Sequence, residues 1–96
     1  MTSAPLRLRT SDLEWRAVEG EVVMLDLRQQ RYQAVNRSGA LLWHALAGGT
    51  DREQMTRCLV QQYGIEWQRA AQDVEALLDQ MREAGILEEG HSGEED

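Results

Sequence analysis

The 96-residue chain has one cysteine, one proline and no phenylalanine. One thiol cannot close a disulfide within a monomer or build a zinc site, and Cys58 falls at an apolar position of a helical pattern, which favours a small core side chain over a nucleophile. GxSxG, HExxH and CxxC motifs and a Gly-rich phosphate loop are also missing. These absences predict a binding module rather than an enzyme, with no catalytic residue, no metal and no cofactor.

Long apolar runs and an excess of basic residues are absent as well. The N-terminal segment MTSAPLRLRT lacks the apolar core of a signal peptide, and no run approaches the length of a membrane span, so we expect a cytoplasmic protein with no membrane partner. The formal net charge of −7 argues against nucleic acid as a partner, because phosphate contacts supply most of that affinity. It suits a partner segment that carries Lys or Arg. The alternative is that it only aids solubility.

The central stretch from Glu21 to Asn36, EVVMLDLRQQRYQAVN, contains two β-prone runs separated by polar residues. We predict strands at Val22–Leu27 and Arg31–Val35, joined by a loop of three or four residues because no Asn-Gly or Asp-Gly specifies a tight turn. Upstream, Leu13–Val18 alternates apolar and polar residues, and Glu19–Gly20 forms a turn. Together these runs predict a three-stranded antiparallel meander.

The third predicted strand is poor in apolar residues, as an edge strand is. An edge strand presents unpaired backbone N–H and C=O groups. Two interpretations are open: an edge protected from association by Arg31 and Gln33, or a docking edge for a partner peptide.

Three helices follow the strands. The first is predicted at Gly39–Ala47, capped by Asn36 or Ser38, with Trp43 and His44 off the centre of its apolar stripe; the stripe consists of Leu41, Leu42, Ala45 and Leu46. A capping box at Thr50–Glu53 opens the second helix, Asp51–Tyr63. The third, Trp67–Ala84, has an apolar arc with two edges, one carrying Ala70, Asp73 and Leu77, the other Ala71, Glu75, Leu78 and Arg82. No carboxylate stands out as buried or paired.

The domain organisation follows from these elements. Residues 1–11 are expected to form a flexible N-terminal arm, with a short outer strand as the alternative. Residues 12–87 form the α+β domain, in which three helices cover one face of the sheet. Residues 88–96, which are acidic and contain Gly and Ser, are expected to form a disordered tail.

The order and spacing of several short motifs resemble the PqqD-like family over about residues 12–87. The shared pieces are Asp26 ending a strand, Arg31-Tyr32, Val35-Asn36, Gly39-Ala40, Gly48-Gly49-Thr50, Gln62-Tyr63-Gly64, Asp73-Val74 and Ala84-Gly85-Ile86-Leu87. The sequence departs from the usual pattern at Gln30, where Gly often stands, and at Arg37, where Pro is frequent. Both departures concern turn geometry.

The resemblance implies a winged helix-turn-helix fold and a non-catalytic function. Members of the family capture the leader segment of a ribosomally made precursor peptide by adding it as an antiparallel strand beside the third strand, against the third helix. The implied peptide-binding residues are Arg31, Tyr32, Gln33, Ala34, Val35, Ala70, Asp73, Val74, Leu77 and Met81. The Arg31-Tyr32, Val35-Asn36 and Gln62-Tyr63-Gly64 motifs are most similar to the stand-alone recognition proteins of lasso-peptide pathways. That similarity implies a separate cysteine-protease leader peptidase and an ATP-dependent cyclase as partners.

Two other functions compete with this one. A PqqD-type chaperone of another peptide-modification pathway differs only in its client. A DNA-binding winged helix would use the first two helices as its binding motif. The second helix carries only Arg52 and Arg57 against Asp51 and Glu53, which makes this alternative the weaker one.

Overall fold

The computed structural model describes residues 4–90, which form five strands and three helices. In chain order the elements are β1 Leu6–Leu8, β2 Leu13–Val18, β3 Glu21–Asp26, β4 Arg31–Val35, α1 Arg37–Gly48, α2 Arg52–Tyr63, α3 Trp67–Glu83 and β5 Leu87–Glu89. The α+β class and the winged-helix arrangement of a three-stranded antiparallel sheet with three helices are confirmed.

The main sheet has the strand order β2–β3–β4, so β4 is an edge strand. The β2–β3 turn is closed by Glu19 and Gly20, whose φ angles of 51° and 84° are those of a two-residue primed turn. The β3–β4 loop spans residues 27–30, within the predicted length. Gln30 adopts a φ of 54°, in the left-handed region that glycine favours, which explains why its position suits Gly.

The core lies between the inner face of this sheet and the helices. Val22 and Met24 of β3 are buried and pack with a cluster contributed by all three helices. Trp43, expected off the apolar stripe, is instead 2% exposed, and its ring meets that of Trp15 edge to face at 5.9 Å. The helical pattern alone undervalued Trp43 because the sheet supplies the partner that buries it.

The helix caps follow the sequence with one correction. The Asn36 side chain accepts a hydrogen bond from the Gly39 N–H at 3.0 Å. Of the two candidate N-caps of α1, Asn36 is therefore confirmed. The cap of α2 is Asp51, not Thr50, because the Asp51 carboxylate accepts from the Gln54 N–H at 2.8 Å. The backbone of Thr50 pairs instead with that of Leu6, through reciprocal bonds of 2.7 and 2.9 Å.

The described segments before β2 and after α3 are more structured than the sequence indicates. Leu6 and Leu8, assigned to the flexible arm, are buried in β1, as the outer-strand alternative expects. β1 pairs antiparallel with β5, so Glu88 and Glu89, assigned to the disordered tail, belong to a strand. The rest of the arm and tail predictions, at residues 1–3 and 91–96, falls outside the described residues.

One buried ion pair joins these ends to the sheet. The Arg9 guanidinium donates to the Asp26 carboxylate at 2.7 Å, and the two side chains are 6% and 2% exposed. Arg9 also donates to backbone carbonyls of Ser11, Asp12 and Gly85. The expectation that no carboxylate is buried or paired is therefore wrong, because the partner of Asp26 comes from a segment that the sequence assigns to an arm.

This pair predicts how stability depends on pH. The hydrogen bond from Arg9 holds the pKa of Asp26 below its ordinary value of 3.8. A carboxyl whose pKa is lowered by folding stabilises the protein above its unfolded pKa, and that stability is lost as the pH falls through the folded pKa. The free energy of unfolding should therefore drop as the pH falls below about 4, and Asp26→Asn should weaken that drop.

Urea denaturation of wild type and variants between pH 2.5 and 7 measures the effect. In a thermal melt at pH 7, Asp26→Asn should lower the melting temperature by about 5 °C or more, because it leaves the Arg9 charge buried without its partner. Glu53→Gln, which breaks only the exposed pair with Arg57, is the control and should keep the wild-type profile. If the free energy of unfolding of Asp26→Asn fell below pH 4 as steeply as that of the wild type, the role given to the pair would be wrong.

Candidate peptide-binding cleft

The hydrogen-bonding phase of the β2–β3 ladder can be read at both of its ends. A two-residue primed turn makes the residues that flank it, Val18 and Glu21, a hydrogen-bonded pair. At the other end the Leu27 N–H donates to the Asp12 C=O at 2.9 Å. Asp12 and Leu27 are therefore also a hydrogen-bonded pair, in the same alternation as Val18 and Glu21. Along β3, the odd-numbered residues therefore bond to β2.

The opposite phase then applies between β3 and β4, because the bonding direction alternates along a strand. Met24 bonds toward β4, and its register partner there is Gln33; Arg31 and Val35 are in the same phase as Gln33. Tyr32 and Ala34 consequently direct their backbone N–H and C=O groups away from the sheet. The free edge of β4 thus offers two donors and two acceptors to an added strand.

A cleft of about 590 Å³ lies beside that edge, with β4 on one side and α3 on the other. Its floor comes from β3, α1 and α2. The lining residues are Met24, Gln33, Ala34, Val35, Asn36, Ser38, Gly39, Leu42, Trp43, Leu59, Tyr63, Ile65, Arg69, Asp73, Ala76, Leu77, Gln80, Met81, Ala84 and Ile86. We call it the β4–α3 cleft.

The wall formed by α3 is one edge of its apolar arc. Asp73, Leu77 and Met81, all predicted site residues, line the cleft. Ala70 and Val74, predicted with them, are 0% and 1% exposed, belong to the core and are not among the lining residues. Helical periodicity placed all five on one side but could not separate the cleft wall from the core beneath it.

The other edge of α3 is occupied by the protein itself. Leu78 is fully buried, and Arg82 donates to Asp79 and Glu89, both at 2.7 Å. Glu75 accepts from Arg52 of α2. That edge faces α2 and β5, so it does not contribute to the cleft.

The residues predicted on β4 do not all line the cleft. Gln33, Ala34 and Val35 line the cleft. Arg31 shares the face of Gln33 and Val35 but lies past the end of the cavity, and Tyr32, 72% exposed, projects from the opposite face of the sheet. All five remain candidates, Tyr32 and Ala34 chiefly through their backbone groups.

The floor of the cleft contains residues that sequence reasoning did not select. Asn36, Gly39 and Leu42 come from the start of α1, Tyr63 from the end of α2, and Ile65 from the loop that follows it. Gly39 is needed for the geometry, because a Cβ there would lie 2.6 Å from a Val35 methyl carbon. The Val35-Asn36 and Gly39-Ala40 motifs marked the start of α1 as a shared feature of the family, but nothing in the pattern indicated that these residues line the cleft.

The cleft is weakly charged. Arg69 and Asp73, one helical turn apart at its α2 end, have charged atoms 3.7 Å apart and are both well exposed.

Within residues 4–90, no cluster of His, Cys, Asp and Glu is suited to holding a metal ion. Over the same residues, no helix combines the length and apolarity that crossing a membrane requires. Cys58 is a free thiol, half-buried against the core.

An open sheet edge beside an apolar cleft is the arrangement by which domains bind extended peptides through strand addition. The fold and the cleft therefore define a winged-helix domain with a peptide-sized groove. The chain belongs to the family of coenzyme PQQ synthesis protein D (PqqD), which matches residues 21–87. No curated protein sequence matches it.

Two solved structures are similar to this one. One is described as TbiB1 in complex with the TbiA(beta) leader peptide; it has 19% sequence identity and a TM-score of 0.79 over 94% of this chain and 99% of that chain. The other is a lasso peptide synthetase B1 complexed with the leader peptide, with 26% identity and a TM-score of 0.76 over 86% of this chain and 96% of that chain. The first likeness concerns the fold alone.

The division of α3 into cleft wall and core predicts the stability of two adjacent variants. Leu78→Ala should cost about 2–5 kcal/mol of unfolding free energy, because it empties a fully buried site. Leu77→Ala removes the same atoms from a half-buried site that opens on the cleft, and should cost less than about 1.5 kcal/mol. Urea denaturation of both variants measures the difference, and equal costs would show that Leu77 is core.

Proposed function

We propose that this chain is a non-catalytic leader-recognition protein of a lasso-peptide pathway. It captures the leader segment of a ribosomal precursor peptide as an antiparallel strand on β4, in the β4–α3 cleft. It then presents the precursor to a separate cysteine-protease leader peptidase and to an ATP-dependent cyclase. Strand addition supplies affinity through the backbone, and the cleft supplies specificity through side chains.

The observation that carries the proposal is the outward direction of the Tyr32 and Ala34 backbone groups along an apolar cleft. Exposed edges of this kind are normally blunted or covered, because they invite association. Here the edge faces, across the cleft, exposed and half-exposed residues of α3, among them Asp73, Leu77 and Gln80. A strand laid about 4.8 Å from β4 would fill the space between them.

Membership of the PqqD family and the two similar structures, which are leader-peptide complexes by their own descriptions, support the same function. A PqqD-type chaperone of another modification pathway would use the same cleft, and would differ only in the peptide and the enzymes that it serves. The identity of the precursor decides between them. The protein would be cytoplasmic in either case, where precursor peptides are made.

DNA binding is the weaker alternative. The arginines of α2 that a recognition helix would use are already paired: Arg52 with Glu75 and Arg57 with Glu53. The net charge of −7 also opposes binding to the phosphate backbone. We therefore expect no saturable shift of duplex DNA at physiological salt in a gel-shift assay. Saturable binding there, without leader binding, would overturn the proposal.

Two proline substitutions on β4 test strand addition. Ala34→Pro deletes an N–H that points to the free edge, so it should weaken binding of a fluorescein-labelled leader peptide at least tenfold while changing stability little. Gln33→Pro deletes an N–H that bonds to β3, so it should destabilise the fold by about 3 kcal/mol. Fluorescence polarisation with the labelled leader peptide measures the binding, and thermal melting measures the stability.

The cleft variants complete that test. Leu77→Ala should weaken leader binding by about tenfold, and Asp73→Ala by less. Leu46→Ala is the matched core control, because Leu46 is fully buried and lies outside the cleft. Full leader affinity in Ala34→Pro together with Leu77→Ala would refute strand addition.

A further inference from the structure

The charge next to the end of the cleft is an arginine without a partner. Arg31 lies directly opposite Asp26 in the β3–β4 register, on the same face of the sheet. A cross-strand ion pair would be expected there. Asp26 pairs with Arg9 instead: its Oδ1 accepts from the Arg9 guanidinium at 2.7 Å and from the backbone N–H groups of Arg28 and Gln29.

Arg31 consequently remains an exposed cation. It forms no ion pair or side-chain hydrogen bond with any group in residues 4–90. Its neighbours at this end of the cleft are largely uncharged: Gln29 donates to the Ala84 carbonyl at 3.0 Å, and Gln80 and Ala84 are the last α3-side lining residues. Asp79 and Glu83, the acidic neighbours in sequence of Gln80 and Ala84, are exposed on α3 and are not among the cleft-lining residues, and Asp79 accepts from Arg82.

The phase of the ladder fixes which residues of an added strand would meet this cation. Arg31, Gln33 and Val35 share the cleft face, so the peptide residues opposite them also turn their side chains toward the cleft. In an antiparallel strand the residue opposite Val35 comes first, the one opposite Gln33 two residues later, and the one opposite Arg31 two residues after that. The first two positions lie over the apolar cavity, and the third lies beside the Arg31 guanidinium.

We propose that Arg31 is a specificity-determining residue of the cleft. It selects a peptide in which two apolar side chains, two residues apart, face the cleft and an acidic side chain follows two residues after the second of them. This inference rests on the proposed function and on its antiparallel strand. Directly opposed side chains have Cβ atoms about 5 Å apart, within reach of a guanidinium–carboxylate pair. The pair also favours one polarity of the peptide, because a reversed strand would place the acid at the Val35 end, away from Arg31.

The test begins with selection from a display library of random 12-residue peptides on the intact chain. Wild type should enrich peptides with two apolar residues spaced two apart, followed two residues later by Asp or Glu. Arg31→Gln should enrich the apolar pair without the acid, and Arg31→Glu should enrich Lys or Arg at that position. Arg16→Glu is the matched control and should retain the acid, because Arg16 is an exposed arginine without an ion pair in residues 4–90, on β2 and the other face of the sheet.

A selected peptide is then compared with its acid-to-Gln and acid-to-Lys versions by fluorescence polarisation. On wild type in 0.1 M salt, the Gln version should bind about three- to tenfold more weakly and the Lys version more weakly still. In 1 M salt, where the screening length is about 3 Å, the differences should shrink. Melting temperatures are recorded for each variant, and Arg31→Gln decides if Arg31→Glu is unstable through the acid it places opposite Asp26.

The outcomes separate this inference from the function on which it rests. Apolar enrichment without charge preference, or an acid preference retained by Arg31→Gln, overturns the role of Arg31 and leaves strand addition standing. An acid N-terminal to the apolar pair overturns the antiparallel polarity. Enrichment of the same peptides by Ala34→Pro, or of none by wild type, overturns the proposed function together with the inference.

Discussion

The buried contact between Arg9 and Asp26 fixes the relative positions of the parts that frame the cleft. Through it the segment before β2, the β3–β4 loop and the carbonyl of Gly85 after α3 share one guanidinium and one carboxylate. A buried charge pair requires that the remaining hydrogen-bonding groups be satisfied, and here backbone groups from three segments satisfy them. The start of β4 and the end of α3 are thereby held at one separation.

That frame explains why the cleft stays open. The loop side chain of Gln29 bridges to the Ala84 carbonyl at one end, and the floor residues of α1 and α2 support the other. Between these ends, β4 keeps its outward backbone groups at Tyr32 and Ala34 without a partner from residues 4–90. Asp26, which pairs with Arg9, also lies opposite Arg31 in the β3–β4 register, and Arg31 has no ion pair within residues 4–90.

Much of the candidate site could be predicted from the sequence. The edge strand was readable from its scarcity of apolar residues. Helical spacing left both edges of the α3 arc open, and the family resemblance selected the one with Asp73, Leu77 and Met81. Ala70 and Val74 could not be separated from that wall, because residues one turn apart on a helix differ in burial only through what packs over them. Gly39, Tyr63 and Ile65 were missed because they reach the cleft from different elements.

The sequence by itself determined the class of the fold, the order of the main strands and helices, and the edge position of β4. These features depend on local patterns: alternation in strands, three- and four-residue spacing in helices, and capping residues. Only the tertiary structure decided the pairing of β1 with β5, the burial of Trp43, the partner of Asp26 and the isolation of Arg31. Each of these depends on contacts between segments distant in sequence, and Arg9 lies 76 residues from the carbonyl that it binds at Gly85. No local pattern encodes such a contact.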